Sequence, residues 1–198
     1  MRKYTLLIIF LLICILDVVG QDLALTQFNT DRLQINKVGM LTLGSWAVGN
    51  IAVNGILLAS PPSSEQAHFY RMNIFWNLVN LGLAIPGLRH SLITDPSTLD
   101  MATTVSEFHK MGKILLVNVG LDVAYITGGF LMKEMAKTRE SKQDLLRGYG
   151  RSLILQGGFL LAFDIILFSV LQSKNPELME LLNTVSFSGS SLALTFRF

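Results

Sequence analysis

The stretch ILLVNVGLDVAYITGGFLM, residues 114–132, decides the fold class. It has one charged side chain, that of Asp122, among apolar and small residues. A helix rises about 1.5 Å per residue, so this run is long enough to cross a hydrocarbon core of about 30 Å. The pattern predicts a membrane-spanning helix, which we number span three.

Three other stretches have the same character. Each is apolar over most of its length and is bounded by charged or turn-forming residues. We predict span one at 38–64, span two at 72–88 and span four at 152–173. Four crossings joined by short connections indicate an all-α membrane four-helix antiparallel bundle.

Local signals predict where these helices begin, bend and end. Ser63 and Gln66 have the spacing of a capping box, which opens the second helix. Pro86 predicts a bend or an end to that helix. The pair Asp95-Pro96 predicts the start of the third helix. Gly148-Tyr149-Gly150 predicts a break before span four.

The composition supports a lipid environment and excludes several functions. Of the 198 residues, 51% are hydrophobic and 15% are charged, whereas soluble domains carry about 25% charge. A net charge of +2 without a basic stripe excludes a nucleic-acid partner. The single cysteine, Cys14, allows no disulfide and no thiolate cluster. We expect no metal and no cofactor, and no catalytic set that would make the protein an enzyme.

The ends of the chain are predicted to lie outside the bundle. Residues 1–20 have the pattern of a cleavable signal peptide, with an uncleaved anchor helix as the alternative. We divide the rest into an outer N-terminal segment (21–37), the bundle (38–173) and an outer C-terminal tail (174–198). Alternating residues at 192–198 favour a short β tail, or an amphipathic end on the surface, paired with 23–33.

Loop charges predict the orientation. The connection at 133–151 has the densest run of basic residues in the chain, and such loops stay in the cytoplasm. Both ends of the mature chain then lie outside, in the periplasm of a bacterial inner membrane.

Polar residues within the spans form the candidate site. In each span they recur at helical spacing on one face, which we expect to turn inward because an unpaired polar group in lipid costs several kcal/mol. Counting residues from the span ends places Asp122 and Asp164 at a common depth. Small residues at Gly120, Gly128 and Gly158 predict close helix contacts. The predicted polar layer consists of Asn50, Asn80, Asn118, Asp122, Tyr125, Gln156 and Asp164.

Two interpretations of this layer remain open. Two carboxyls at one depth in a low dielectric cannot easily both ionise, which predicts a shared proton or a bound cation. Intramembrane acids favour such a functional site. The structural interpretation is that amides and acids join the helices by hydrogen bonds.

Three motifs within the spans carry a resemblance to a known family. They are FYRMNIFWNLVNLGLA, VNVGLDVAYITGGFLM and GYGRSLILQGGFLLAFD. On these motifs the chain resembles, over residues 38–172, a family of small bacterial integral membrane proteins of unknown function. The resemblance implies a four-helix membrane domain and no assigned activity.

The sequence favours a structural or interaction protein over the alternative, a small proton- or cation-coupled carrier that uses Asp122 and Asp164. The expected partner is the lipid bilayer. A homo-oligomer or a membrane-protein partner stays open, because small residues that face a partner have the same pattern as those that face the bundle.

Overall fold

The computed structural model describes the backbone of residues 2–188 and the side chains of residues 22–183. Within 2–188 the chain is all-α, with no strand. Four long helices are followed by a short one. They are α1 (Arg2–Ala59), α2 (Ser64–Ile93), α3 (Met101–Met135), α4 (Gln143–Gln172) and α5 (Asn175–Ser188).

Side-chain caps fix two helix starts. The Ser63 backbone N–H donates to the Gln66 side chain at 3.0 Å, and Ser63 Oγ accepts from the Gln66 backbone at 3.3 Å. The predicted capping box at the start of α2 is therefore confirmed. Asp100 caps α3 by accepting from the Thr103 backbone at 2.7 Å. Hydrogen bonds from the side chain and the backbone of Thr103 hold the pKa of the Asp100 carboxyl below its ordinary value.

The structure corrects two predicted boundaries. The second helix continues through Pro86 to Ile93, so it does not end at the proline, and the alternative of a bend there stays a prediction. The pair Asp95-Pro96 opens only the short 3-10 turn Pro96–Thr98, and α3 begins after it at Met101. Asp95 accepts from Ser97 in this turn, whereas the true N-cap of α3 is Asp100.

The glycines that allow close helix contact differ from the predicted ones. No break occurs at Gly148, because α4 is continuous there and packs on α2; a Cβ at Gly148 would lie 2.5 Å from the Glu65 carbonyl oxygen. Gly129 and Gly150 meet where α3 crosses α4, and a Cβ on either would lie 2.6 Å from the carbonyl oxygen of the other. The prediction of close contacts at three other glycines is wrong, since a Cβ there would meet nothing within 4 Å: Gly120, Gly128 and Gly158.

The helices pack as two antiparallel pairs. The first pair is α1 with α2 and the second is α3 with α4, while α2 also packs on α4. The backbones of α2 and α3 hardly approach each other, and side chains such as Trp76 and Tyr125 make contact between these helices. This leaves space between the two pairs, and the candidate site lies there.

The N-terminal part of α1 packs against α3 and α5. Residues 23–33 are helical, so the prediction that they pair with a strand is wrong. Phe28 is 1% exposed and contacts Phe108, with ring centroids 5.8 Å apart, in a core shared with Leu171 and Leu178. The predicted β tail at 192–198 lies outside the described residues.

Three stretches of helix are long and apolar enough to span a membrane: Asp22–Ala59, Met101–Met135 and Glu140–Asn183. They contain predicted spans three and four and residues 38–59 of predicted span one. The second helix is not among them, and residues 2–20 continue directly into α1. Cleavage of the signal peptide stays a prediction.

Candidate functional site

Two buried carboxyls meet where α3 packs against α4. Asp122 is 2% exposed and Asp164 is 3% exposed, and the two side chains lie next to each other. Side chains lean toward the N-terminus of their own helix, so in an antiparallel pair these two lean toward each other. Gly157 lets the backbones approach, since a Cβ there would lie 3.1 Å from the Asp122 carbonyl oxygen. The Asn118 amide lies beside Asp164.

A cavity of about 530 Å³ adjoins the carboxyl pair, between α1 and α2 on one side and α3 and α4 on the other. Its walls are mostly aliphatic and include Leu83 of α2 and Ile114 of α3. Asp122 and Asp164 line its inner end. The opposite end, which we call the Arg32 end, is lined by charged and polar residues: Arg32, His90, Glu107 and Lys110.

Three residues that line this cavity each have one buried side-chain polar atom with no hydrogen-bond partner among the described residues. The atoms are Nε of Arg32, Nε1 of Trp76 and Oδ2 of Asp122. Trp76 packs on Tyr125, with ring centroids 4.8 Å apart. Buried polar groups are normally paired, and an unpaired one costs about 1–3 kcal/mol. Two donors and one acceptor are therefore left unmatched on residues around one space.

A second polar group, which we call the amide cluster, lies further along α1 toward the α1–α2 connection. Gln156 is central to it: its Nε2 donates to Asn73 Oδ1 at 2.8 Å and to Asn50 Oδ1 at 3.4 Å, and its Oε1 accepts from Trp46 Nε1 at 3.0 Å. Ser152 Oγ also donates to Asn73 Oδ1 at 2.8 Å. The cluster consists of Trp46, Asn50, Asn54, Asn73, Ser152 and Gln156.

The amide cluster joins three helices through a connected set of hydrogen bonds. Asn73 is fully buried, and its Nδ2 donates to Asn54 Oδ1 at 3.3 Å. Trp46 stacks on Phe159 with ring centroids 3.9 Å apart. These contacts tie α1, α2 and α4 together beyond the inner end of the cavity. The amide cluster therefore holds these three helices together by hydrogen bonds.

The structure thus divides the predicted polar layer into two places. Five predicted residues line the cavity, and Asn50 and Gln156 belong to the amide cluster. Sequence analysis did not select Arg32 or Trp76 for the site. A signal for Arg32 existed, because it shares a helical face with the cavity residues Asn36, Met40 and Leu43. The five predicted residues at the cavity are Asn80, Asn118, Asp122, Tyr125 and Asp164.

The cavity offers no cluster of metal ligands. Within the described part of the chain, no group of three or more His, Cys, Asp or Glu side chains could hold a metal ion. A single monovalent cation or a proton needs fewer ligands, and the carboxyl pair with the Asn118 amide could hold either.

Comparison with known proteins gives one match. A model of a family of unknown function, DUF6992, matches residues 42–165, a range that contains the amide cluster, the carboxyl pair and all three motifs of the resemblance. Comparisons with curated proteins and with solved structures give no match. Since the matched range covers more than half of the chain, the protein belongs to the DUF6992 family of unknown function.

Proposed function

We propose that the protein is a four-span integral membrane protein that works as a small proton- or cation-coupled carrier. The titrating centre is the carboxyl pair of Asp122 and Asp164, reached through the cavity from the Arg32 end. The observation that carries the proposal is that Asp122 Oδ2 is buried, has no partner among the described residues and belongs to a residue that lines a 530 Å³ cavity. The proposed function is not catalytic.

The outer surface of α2 supports a fourth span. The asparagines that lower its hydropathy face the bundle interior and are at most 3% exposed. Its exposed side chains in the same region are apolar, including Phe75 at 58% and Leu78 at 56%. Because α2 packs on two helices that are apolar enough to cross, it crosses with them. The buried asparagines are Asn73, Asn77 and Asn80.

The proposed placement keeps the orientation given by the loop charges. The loop at 133–151 lies in the cytoplasm of a bacterial cell, and the Arg32 end faces the periplasm. The part of α1 with described side chains, Asp22–Ala59, is about 57 Å long at the usual helical rise, which exceeds the hydrocarbon core of about 30 Å. The length of α1 that extends beyond the hydrocarbon core supports an outer cap, in which the N-terminal part of α1 around Phe28 packs on α3 and α5.

A shared proton explains why two acids can lie in contact. Two carboxylates repel in a low dielectric, and one proton between them removes most of that repulsion. A cation that enters the cavity can replace the proton, and the Asn118 amide continues to hold Asp164. Exchange of proton for cation at one pair is the elementary step of coupled transport.

Proton uptake into proteoliposomes tests this proposal. A sodium gradient directed outward drives protons inward by exchange, valinomycin with equal potassium on both sides holds the membrane potential at zero, and an internal pH dye reports the protons. We expect uptake by the wild type and by Asp144→Asn, which removes an exposed carboxylate in the first turn of α4. Asp122→Asn with Asp164→Asn should insert, keep the thermal stability and lose uptake.

The opposite outcome would favour the second candidate function, a structural or interaction protein. In that case the wild type moves no protons and the double variant fails to fold. The amide cluster is the observation that favours this candidate, since its bonds fasten three helices without contributing to the cavity. A homo-oligomer or a membrane-protein partner belongs to this candidate.

A further inference from the structure

Arg32 lies at the mouth of the cavity with part of its guanidinium unsatisfied. The residue is 5% exposed, and Nη2 donates to Asn29 Oδ1 at 3.3 Å. Nε is buried and donates to no side chain or backbone group among the described residues. A buried arginine in such surroundings is costly and is normally matched by an anion.

The charges around Arg32 leave a positive excess. Glu107 is the one carboxylate that lines this end of the cavity, and Lys110 approaches it at 3.5 Å. One carboxylate, that of Glu107, thus lies near two positively charged side chains, those of Arg32 and Lys110. Arg32 forms no ion pair with any side chain in residues 22–183. The guanidinium is therefore the group whose charge lacks a partner within hydrogen-bonding distance.

The cavity between Arg32 and the carboxyl pair is apolar for most of its length. From Glu107 to Asp122 the α3 wall extends about 22 Å at the usual helical rise. Along it the cavity is lined mostly by apolar side chains of facing helices, such as Leu83 and Ile114, with Asn36, Asn80 and Asn118 among them. A volume of about 530 Å³ is that of a site for one small organic molecule, whereas a proton or a bare cation needs no such apolar space.

We propose that the cavity binds an aliphatic monocarboxylate. Its carboxylate pairs with the planar guanidinium of Arg32, which suits this anion better than an ammonium would, and its chain lies along the aliphatic walls toward the carboxyl pair. The inference deepens the proposed function and rests on it for transport: one monocarboxylate and one proton on Asp122 and Asp164 cross together without net charge.

Three probes of equal chain length test the inference. Decanoate, decanol and decylamine are titrated onto the protein in phosphatidylcholine nanodiscs, and partition into empty nanodiscs is subtracted. We expect saturable binding of decanoate alone. Arg32→Gln should weaken it by about thirtyfold or more, the usual effect of removing one partner of a buried charge pair. Arg32→Lys keeps the positive charge but loses the planar guanidinium, which can donate two hydrogen bonds to one carboxylate. This variant should therefore weaken decanoate binding less.

Matched variants separate recognition from general effects. Arg89→Gln removes an exposed arginine of α2 near the same end of the bundle, outside the cavity lining, and should leave decanoate binding unchanged. Thermal unfolding of each variant shows whether it is folded. If Arg32→Gln does not fold, Arg32→Lys still tests the inference.

Three results would overturn the inference: binding of decanol as tight as that of decanoate, preference for decylamine, or decanoate binding that Arg32→Gln does not change. Stabilisation by phosphatidylglycerol that needs Arg32 and blocks decanoate would also overturn it, by assigning the anion site to a lipid headgroup. Proton uptake without decanoate binding leaves the proposed function intact and refutes this inference. Decanoate binding without proton uptake refutes the carrier and supports the binding site.

Discussion

Replacing Asn73 by leucine is expected to destabilise the bundle strongly, although leucine is nearly the same size and suits lipid. The variant loses hydrogen bonds to three side chains on two other helices: Asn54 at 3.3 Å, Ser152 at 2.8 Å and Gln156 at 2.8 Å. One interhelical bond in a membrane is worth about 0.6–2 kcal/mol. The loss of three predicts that the free energy of unfolding falls by about 2–4 kcal/mol.

The assay is unfolding by sodium dodecyl sulfate in mixed micelles, followed by circular dichroism. Asn80→Leu is the matched control, because Asn80 lies on the same face of α2 and is 3% exposed, but its one hydrogen bond goes to Asn77 of its own helix at 3.4 Å. We expect a change below about 1 kcal/mol for the control. If Asn73→Leu and Asn80→Leu lose the same stability, the amide cluster does not fasten the helices and our division of the polar layer is refuted.

Three further predictions concern packing, capping and a surface ion pair. Gly148→Leu should cost about 1–3 kcal/mol or more in thermal unfolding, because its Cβ would lie 2.5 Å from the Glu65 carbonyl oxygen, whereas Gly158→Leu in open space should be nearly neutral. Asp100→Ala should lower the unfolding temperature at neutral pH and lose its effect in acid: the folded pKa is depressed, so the carboxylate stabilises above its ordinary pKa of about 3.9 and ceases to do so as the pH falls through the folded value. An equal effect at pH 7 and in strong acid would contradict this. In a double-mutant cycle the 2.9 Å pair of Arg151 with Glu65 should contribute less than about 1 kcal/mol, because both side chains are partly exposed; a larger coupling would show that lipid shields it.

Helix existence could be predicted from the sequence because it depends on local patterns. The run at 114–132 and the capping box at Ser63 and Gln66 needed only periodicity and cap chemistry, and the structure has helices at both places. Local signals failed where packing overrides them. The sequence predicted a break at Gly148, whereas this glycine lies in a continuous helix and contacts α2. A glycine that permits close approach and one that ends a helix are alike in sequence.

The candidate site was harder to predict because it depends on rotation and on partners. The contact stripe of α4 includes Gly157, whereas the sequence pattern favoured Gly158, and an error of one residue turns a helix face by about 100°. Residue counting gave the acids a common depth. It could not separate Gln156, whose amide is fully engaged, from Asp122, whose Oδ2 is not. That difference arises only from the neighbouring helices.

The scarcity of contact between α2 and α3 has a consequence for how such a protein diversifies. Both helices are anchored elsewhere, α2 on α1 and α4, and α3 on α4. Side chains such as Val79 and Ile114, which border the gap between them, can therefore change size without loosening the scaffold. We expect homologous chains to vary freely at these two positions and so to bind ligands of different size. We expect the glycines where α4 crosses its neighbours not to be replaced by larger residues.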